Sequence, residues 1–311
     1  MGDVVHTMPA ISDIAANVPN AHIDWLVETS FAALPSMHPA VRTVIPIAWR
    51  KWRKRLFAAD TRAALSAARM QLQAEQYDVV IDFQGLLKSA LWAVQARGLR
   101  AGYDWASARE PMASLFYARR AAVPINQHAV ERSRQLAAAH LNYTASGSPR
   151  FGLRAPDSVW KPQSSRYAVL ITGASRREKL WPESSWRAVA AKLTALGFAL
   201  VWLWGSAEEG ERSKRLAAAA GGEVPPFLTV KDASAVLSCA ALCVGLDTGF
   251  THIAAAYGVA TIGIYCDHEP GLVGIKGEGY VASVGGRGVV PTVDAVQAEM
   301  EAAIENFTPT T

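Results

Sequence analysis

Eight consecutive residues, Gly245-Leu246-Asp247-Thr248-Gly249-Phe250-Thr251-His252, bring a glycine turn, a carboxylate, two hydroxyls and an imidazole into one stretch. The apolar run 240–244 before them reads as a strand, and the small-residue segment 253–257 after them as a helix. A turn of this kind opening a helix presents backbone N–H groups and the positive end of the helix dipole. That is the chemistry of an anion site, most readily for phosphate. An ordinary strand-to-helix loop has the same pattern, so both readings stand. Other clusters share the placement. Gly173-Ala174-Ser175 ends the apolar run 167–172 and leads through Arg176-Arg177-Glu178-Lys179 to Trp181-Pro182. Gly205-Ser206 opens a helix whose first turn holds Glu208, Glu209 and Glu211, where the dipole favours carboxylates. Asp82-Phe83-Gln84-Gly85-Leu86-Leu87-Lys88-Ser89 ends the continuous apolar run 77–82, a pattern typical of a parallel strand buried on both faces. Gln84 and Lys88 then either face a site, as residues at the carboxyl ends of parallel strands do, or are simply exposed.

These groups must be positioned by a chain of 311 residues, half of them hydrophobic. That supports one large or two medium α/β domains. A Ser-, Gly- and Pro-rich stretch at 142–162 divides two strand–helix alternations, 1–150 and 151–311. The first has strands at 22–27, 42–46 and 77–82 and an Ala-rich helix at 60–75. The second has strands at 167–172, 198–204 and 260–265, a helix opening at Pro182 as its first residue, and a final helix at 293–307. Val5, Met8 and Ile11 follow a helical beat, with Gly2-Asp3 as the turn before it. No apolar run approaches the ~20 residues of a membrane-spanning helix and no signal-peptide pattern opens the chain, so the expected location is the cytoplasm. Cys239, Cys243 and Cys266 lie in apolar surroundings and are expected as buried thiols. There is no HExxH spacing and no Asp-x-Asp pair, so no metal is expected in the chemistry.

Charge is uneven. Residues 1–150 carry 17 Lys and Arg against 11 Asp and Glu, and residues 151–311 carry 14 against 16. The run Trp49-Arg50-Lys51-Trp52-Arg53-Lys54-Arg55 has three readings. It is a solvated helix face with tryptophans on the core, a nucleic-acid contact (which no helix-turn-helix, zinc or RNP pattern supports), or a patch for phosphates and carboxylates at a membrane surface with Trp at headgroup depth. Arg109, Arg119, Arg120, His128, Arg132 and Arg134 continue the basic character.

Four motifs in this order and spacing carry a resemblance: Gly2-Asp3-Val4-Val5-His6-Thr7-Met8-Pro9-Ala10, the 82–89 stretch, Lys179-Leu180-Trp181-Pro182, and Asp247-Thr248-Gly249 with His252. Over essentially its whole length the chain resembles the bacterial lipopolysaccharide heptosyltransferases. The 49–54 run and Ala108-Arg109-Glu110-Pro111 with Ala113-Ser114-Leu115-Phe116-Tyr117 match the type I members in particular. The resemblance implies a GT-B architecture: two Rossmann-like domains with a cleft between them. Residues 1–150 would bind the acceptor and 151–311 the nucleotide-sugar, with the last helix a candidate to pack back on the first domain. It implies ADP-L-glycero-β-D-manno-heptose as donor and the inner Kdo of Kdo2-lipid A as acceptor. Transfer would invert the anomeric centre at the cytoplasmic face of the inner membrane, with no cofactor and no nucleic-acid partner.

Under that resemblance Asp3 matches the catalytic base. A helix N-terminus would lower its pKa and desolvation would raise it. The donor set is Ala174, Ser175, Lys179, Glu209, Leu228, Asp247, Thr248, Gly249 and His252, with Lys179 and the Thr248-Gly249 amides on the leaving diphosphate and Glu209 on the ribose. The acceptor set is Arg50, Lys51, Arg53, Gln84, Lys88, Arg109 and His128. The chain also departs from the family. Members carry a first strand and a polar turn ahead of the Gly-Asp turn, so the resemblance implies a start placed downstream of the true one or a truncation, and an N-terminal sheet lacking a central strand. Ala174-Ser175 stands where a Thr-Thr pair is usual, and the loop 266–271 is unlike the family's. Two readings therefore stay beside heptosyl transfer: an impaired ADP-binding protein of the same fold, and a heptosyltransferase II-like enzyme with another acceptor.

Overall fold

The computed structural model describes residues 1–157, 159–174, 176–267 and 269–306. The chain divides into an N-terminal unit, His6–Ser148, and a C-terminal unit made of Pro149–Thr311 with Met1–Val5. The division falls inside the Ser-, Gly- and Pro-rich stretch, and the first five residues cluster with the later unit.

From the start of the chain the elements are α1 (Gly2–Asn17), β1 (Ile23–Glu28), α2 (Ala33–Ser36), β2 (Val41–Ile47), α3 (Trp49–Trp52), α4 (Ala59–Leu72), β3 (Gln76–Ile81), α5 (Leu87–Ala93), β4 (Arg97–Tyr103), β5 (Arg119–Ala121) and α6 (Ala129–Leu141). The strands of the N-terminal unit form two parallel sheets, β1-β2 and β3-β4-β5. Ala68 and Leu72 of α4 with Trp92 and Ala96 pack on Ile45 and Ile47. Ala10, Ile11 and Ile14 of α1 pack with Ala137 of α6 in a second cluster. β1 and β3 flank a common groove lined by Leu26, Tyr77, Val79, Ile81 and Trp92, and the Tyr77 hydroxyl donates to Asp24 Oδ2 at 3.0 Å. Because β3 borders that groove, it is not buried on both faces as its apolar run predicts; four of its six residues are half-buried and two exposed.

The C-terminal unit continues with β6 (Tyr167–Ile171), α7 (Glu183–Ala195), β7 (Ala199–Leu203), α8 (Ala207–Ala220), α9 (Val230–Ser238), β8 (Leu242–Leu246), α10 (Gly249–Ala256), β9 (Ala260–Tyr265), α11 (Pro270–Val273), β10 (Val281–Gly285) and α12 (Val293–Glu305). Its strands form one parallel sheet in the order β10-β9-β8-β6-β7. β6, β8 and β9 are buried along their whole length, as uninterrupted apolar runs require when helices cover both faces. Trp181, Trp186, Leu193, Val296 and Met300 belong to one large core cluster with Leu170, Val244 and Ile262.

α12 packs on α7, β9 and β10 through Val296, Met300 and Ala303, which form one apolar stripe matched to that sheet; Phe307 lies outside the described residues. Two expectations need correction. Pro182 is the N-cap of α7, one residue before the helix proper. Cys239 is exposed because it caps the C-terminal end of α9, whereas Cys243 and Cys266 are buried.

Candidate functional site

In the C-terminal unit the connection after β6 leads to β7 and that after β8 leads to β9, on opposite sides of the adjacent β6–β8 pair. This is the switch point of an open parallel sheet, where loops diverge and leave a crevice at the strand ends. The two loops there hold Gly173-Ala174, after Thr172, and Asp247-Thr248-Gly249, both within turns that the sequence singles out.

The second loop is built around Asp247. Its N–H donates to Ile264 O at 3.2 Å, fixing the turn against β9. Lys179 Nζ donates to Asp247 Oδ2 at 2.6 Å, and His252 Nε2 lies 3.5 Å from Oδ1. The Asp247 and Lys179 side chains are 13% and 14% exposed. Burial pushes the Asp247 carboxyl up, but His252 and Lys179 outweigh it and hold the group well below the usual carboxylate range. The N-cap, Thr248, makes no capping bond from its side chain, so the first amides of α10 keep their outward polarity. Thr251 Oγ1 turns back to donate to Leu246 O at 2.6 Å. Met1 lies over Gly249 and Gly2 against the His252 ring, so the first turn of α1, with exposed Asp3, opens beside that of α10.

The folded Asp247 binds fewer protons than the unfolded carboxyl, so its contribution to stability is full above the unfolded value of 3.8 and is lost as pH falls below it. Thermal melts from neutral to acid pH are expected to show a smaller acid loss for Asp247→Asn than for the parent. Equal acid limbs would remove Asp247 from the account.

The first loop depends on a missing side chain. Glu209, one turn into α8, lays its carboxylate across Gly173 where a Cβ would collide with it, and its Oε2 accepts from Gly205 N–H at 2.7 Å. Sequence reasoning missed both glycines as functional positions, although both follow the carboxyl ends of apolar strands. It also missed Thr172, a fully buried residue at the end of β6 whose hydroxyl has no partner among the described residues. Ala174 packs against the core, Ser175 lies outside the described residues, and Leu228 is buried next to exposed Phe227, which stacks edge-on to Trp204 at 5.6 Å. Arg176 approaches Asp267 at 3.9 Å, joining the loop before Lys179 to the atypical 266–271 loop, of which His268 is outside the described residues. Gly173→Ala is expected to displace the flexible Glu209 arm and not the fold. If Glu209 meets the nucleotide that the resemblance implies, ADP affinity should fall about tenfold, the value of one charge-assisted hydrogen bond, with the melting temperature held. Unchanged binding by calorimetry would show that Glu209 needs no such room.

In the N-terminal unit the expected acceptor residues fall into three groups. Arg50, Lys51 and Arg53 are exposed on and just after α3, with the Arg50 guanidinium 5.3 Å over the Phe31 ring. Gln84 and Lys88 border the groove beside β3. Buried Asp82 shapes their turn, accepting from Gln84 N–H at 2.8 Å, Ser89 Oγ at 2.6 Å and Tyr117 OH at 2.6 Å. Arg109 is tied to the same turn through its neighbour: Glu110 N–H donates to Gly85 O at 2.9 Å and Glu110 Oε2 accepts from Leu87 N–H at 2.6 Å. His128 caps α6, its Nδ1 accepting from Val130 N–H at 3.2 Å, with its ring 5.4 Å from His6. Other cations of this half are committed elsewhere: Arg134 is buried 2.7 Å from Asp13, and Arg42 pairs with Asp24. Among the described residues no group of three or more His, Cys, Asp or Glu could hold a metal ion.

Comparison with known proteins gives one consistent set. Residues 65–302 match the model of glycosyltransferase family 9 (heptosyltransferase). Lipopolysaccharide heptosyltransferase 1 of Escherichia coli K12 is 42% identical over 282 residues, 89% of this chain and 88% of that protein. The structure of E. coli heptosyltransferase WaaC with ADP superposes with a TM-score of 0.88 at 39% identity, covering 97% of both chains. The same enzyme with ADP-2-deoxy-2-fluoro heptose gives 0.86 at 38%, covering 97% of this chain and 96% of that one.

Proposed function

The chain belongs to glycosyltransferase family 9, the heptosyltransferases, with a GT-B-type α/β fold, and from that premise we propose that it moves heptose from ADP-heptose to the inner Kdo of Kdo2-lipid A, with inversion. The observation that carries this reading is the Lys179–Asp247–His252 cluster at the N-terminus of α10, on the switch point of the C-terminal sheet. Lys179 and the α10 amides offer charge to a diphosphate, and Glu209 offers acceptors to a ribose. In the reaction an acceptor hydroxyl oxygen bonds to the anomeric carbon from the face opposite ADP. Asp3 takes the hydroxyl proton, and ADP leaves with the electron pair of the broken carbon–oxygen bond. Arg50, Lys51, Arg53, Gln84, Lys88, Arg109 and His128 are the groups offered to the acidic acceptor, and the basic N-terminal half suits a peripheral station at the inner membrane's cytoplasmic face. No described helix is long and apolar enough to cross a membrane.

Incubation with ADP-heptose and a Kdo2-lipid A analogue is expected to release ADP and heptosylated acceptor in equal amounts. ADP bound without release would instead support a nucleotide-binding protein of the same fold. Release only with a different acceptor would point to heptosyltransferase II-like specificity.

A further inference from the structure

Of the three readings of the basic run, the structure bears out the first, an exposed cationic face with its tryptophans on the core, and not tryptophans at headgroup depth. Trp49 and Trp52, the residues suited to headgroup depth, turn inward and stack on Trp92 with ring centroids 6.2 Å away in each case. They belong to the packing around Ile45, Ile47 and Leu72. What projects is the segment after them. Arg55 N–H donates to Trp52 O at 2.9 Å and Ala58 N–H to Arg55 O at 3.1 Å, so Leu56 and Phe57 are the two corner residues of a hydrogen-bonded turn. Leu56 is 41% exposed and Phe57 94%. Arg50, Lys51, Arg53, Lys54 and Arg55 are all exposed immediately before them; Asp60 is the first carboxylate after them.

We infer that Leu56-Phe57 is a wedge that enters an anionic lipid bilayer while the five cations before it lie on the headgroup phosphates. A turn that holds a phenyl ring in water loses apolar hydration when that ring enters the acyl boundary, and each neighbouring cation adds attraction to anionic lipid. Nucleic acid would use the same cations but has no apolar layer for a paired Leu and Phe. The inference rests on the reading that the acceptor is presented at a membrane, and it gives that contact a place and an orientation.

The test is co-sedimentation of the whole chain with vesicles of phosphatidylcholine mixed with phosphatidylglycerol, against phosphatidylcholine alone. The parent is expected on the mixed vesicles. Leu56→Ser with Phe57→Ser should lower that partition about tenfold or more, the loss expected for one exposed phenyl ring and its neighbour. ADP affinity and melting temperature should not move, since neither side chain supports the core. Phe57→Trp should gain a component quenched by brominated lipid that the parent lacks, the parent's exposed Trp105 serving as the baseline. Equal partition of parent and double-serine variant, with both also held on a DNA column, would overturn the wedge in favour of charge alone. ADP release with a water-soluble acceptor analogue but no vesicle binding would overturn the wedge and leave heptosyl transfer standing. Vesicle binding without ADP release would do the reverse.

Discussion

Asp3→Ala is expected to lower turnover by about 10²–10⁴-fold, the range of a lost general base, and to leave ADP affinity unchanged. The separation follows from placement. Asp3 is exposed in the first turn of α1, whereas the proposed nucleotide contacts come from the β6, β8 and α8 loops. The turn beside it makes contact through backbone and Met1, since Gly2 rests on the His252 ring and Met1 on Gly249. Removing the carboxylate therefore deletes the proposed proton acceptor and leaves the Met1 and Gly2 contacts in place. Asp3→Asn should match the alanine variant, because shape is kept and basicity lost. Single-turnover measurement of heptose transfer beside ADP calorimetry decides it. Turnover within a few-fold of the parent would move the base elsewhere.

Lys179→Ala should damage both binding and chemistry. In this structure Lys179 is not an idle cation: it is held 2.6 Å from a carboxylate that is itself mostly buried. A diphosphate arriving there gains a charge already desolvated and oriented, which is the condition under which electrostatic stabilisation is large. Deleting the ammonium removes that charge and leaves Asp247 buried with the His252 imidazole as its other close partner, adding a repulsive anion to the loop proposed to receive one. The expected result is a loss of about 10²–10³-fold in turnover, with a parallel weakening of ADP. Adding Asp247→Asn should recover part of the ADP affinity, since the two residues share one interaction and their effects are not additive. If Lys179→Ala binds ADP as the parent does, the cradle is held by amides alone.

The C-terminal unit was largely legible in the sequence because its strands are uninterrupted apolar runs and its turns carry glycine. Tyr167–Ile171 and Ala260–Tyr265 fall where the pattern puts them. The order of strands was not legible, and with it the meeting of the 172–174 and 247–249 loops, since long-range parallel pairing leaves no local mark. The Lys179–Asp247 pair joins residues 68 apart and was equally hidden; only the family resemblance set them side by side. In the first half β4, β5 and α6 escaped notice. Arg97–Tyr103 and Arg119–Ala121 begin with arginines and glycines that read as loop, and α6 carries enough charge to blur its apolar stripe. The tryptophans at 49 and 52 were legible only as alternatives, core or interface, because composition suits both; contact with Trp92 selects the core.

The two short sheets of the N-terminal unit set where the molecule can yield. Each strand bordering the groove, β1 and β3, ladders with one neighbour, while β6, β8 and β9 each ladder with two. Fewer cross-links per strand mean that small segments can open without the rest, so amide exchange should run faster along Ile23–Glu28, Val41–Ile47 and Gln76–Ile81 than along Leu242–Leu246. The C-terminal sheet is thus the stiffer of the two, and if the acceptor docks on the N-terminal unit as proposed, the compliance to admit it lies there.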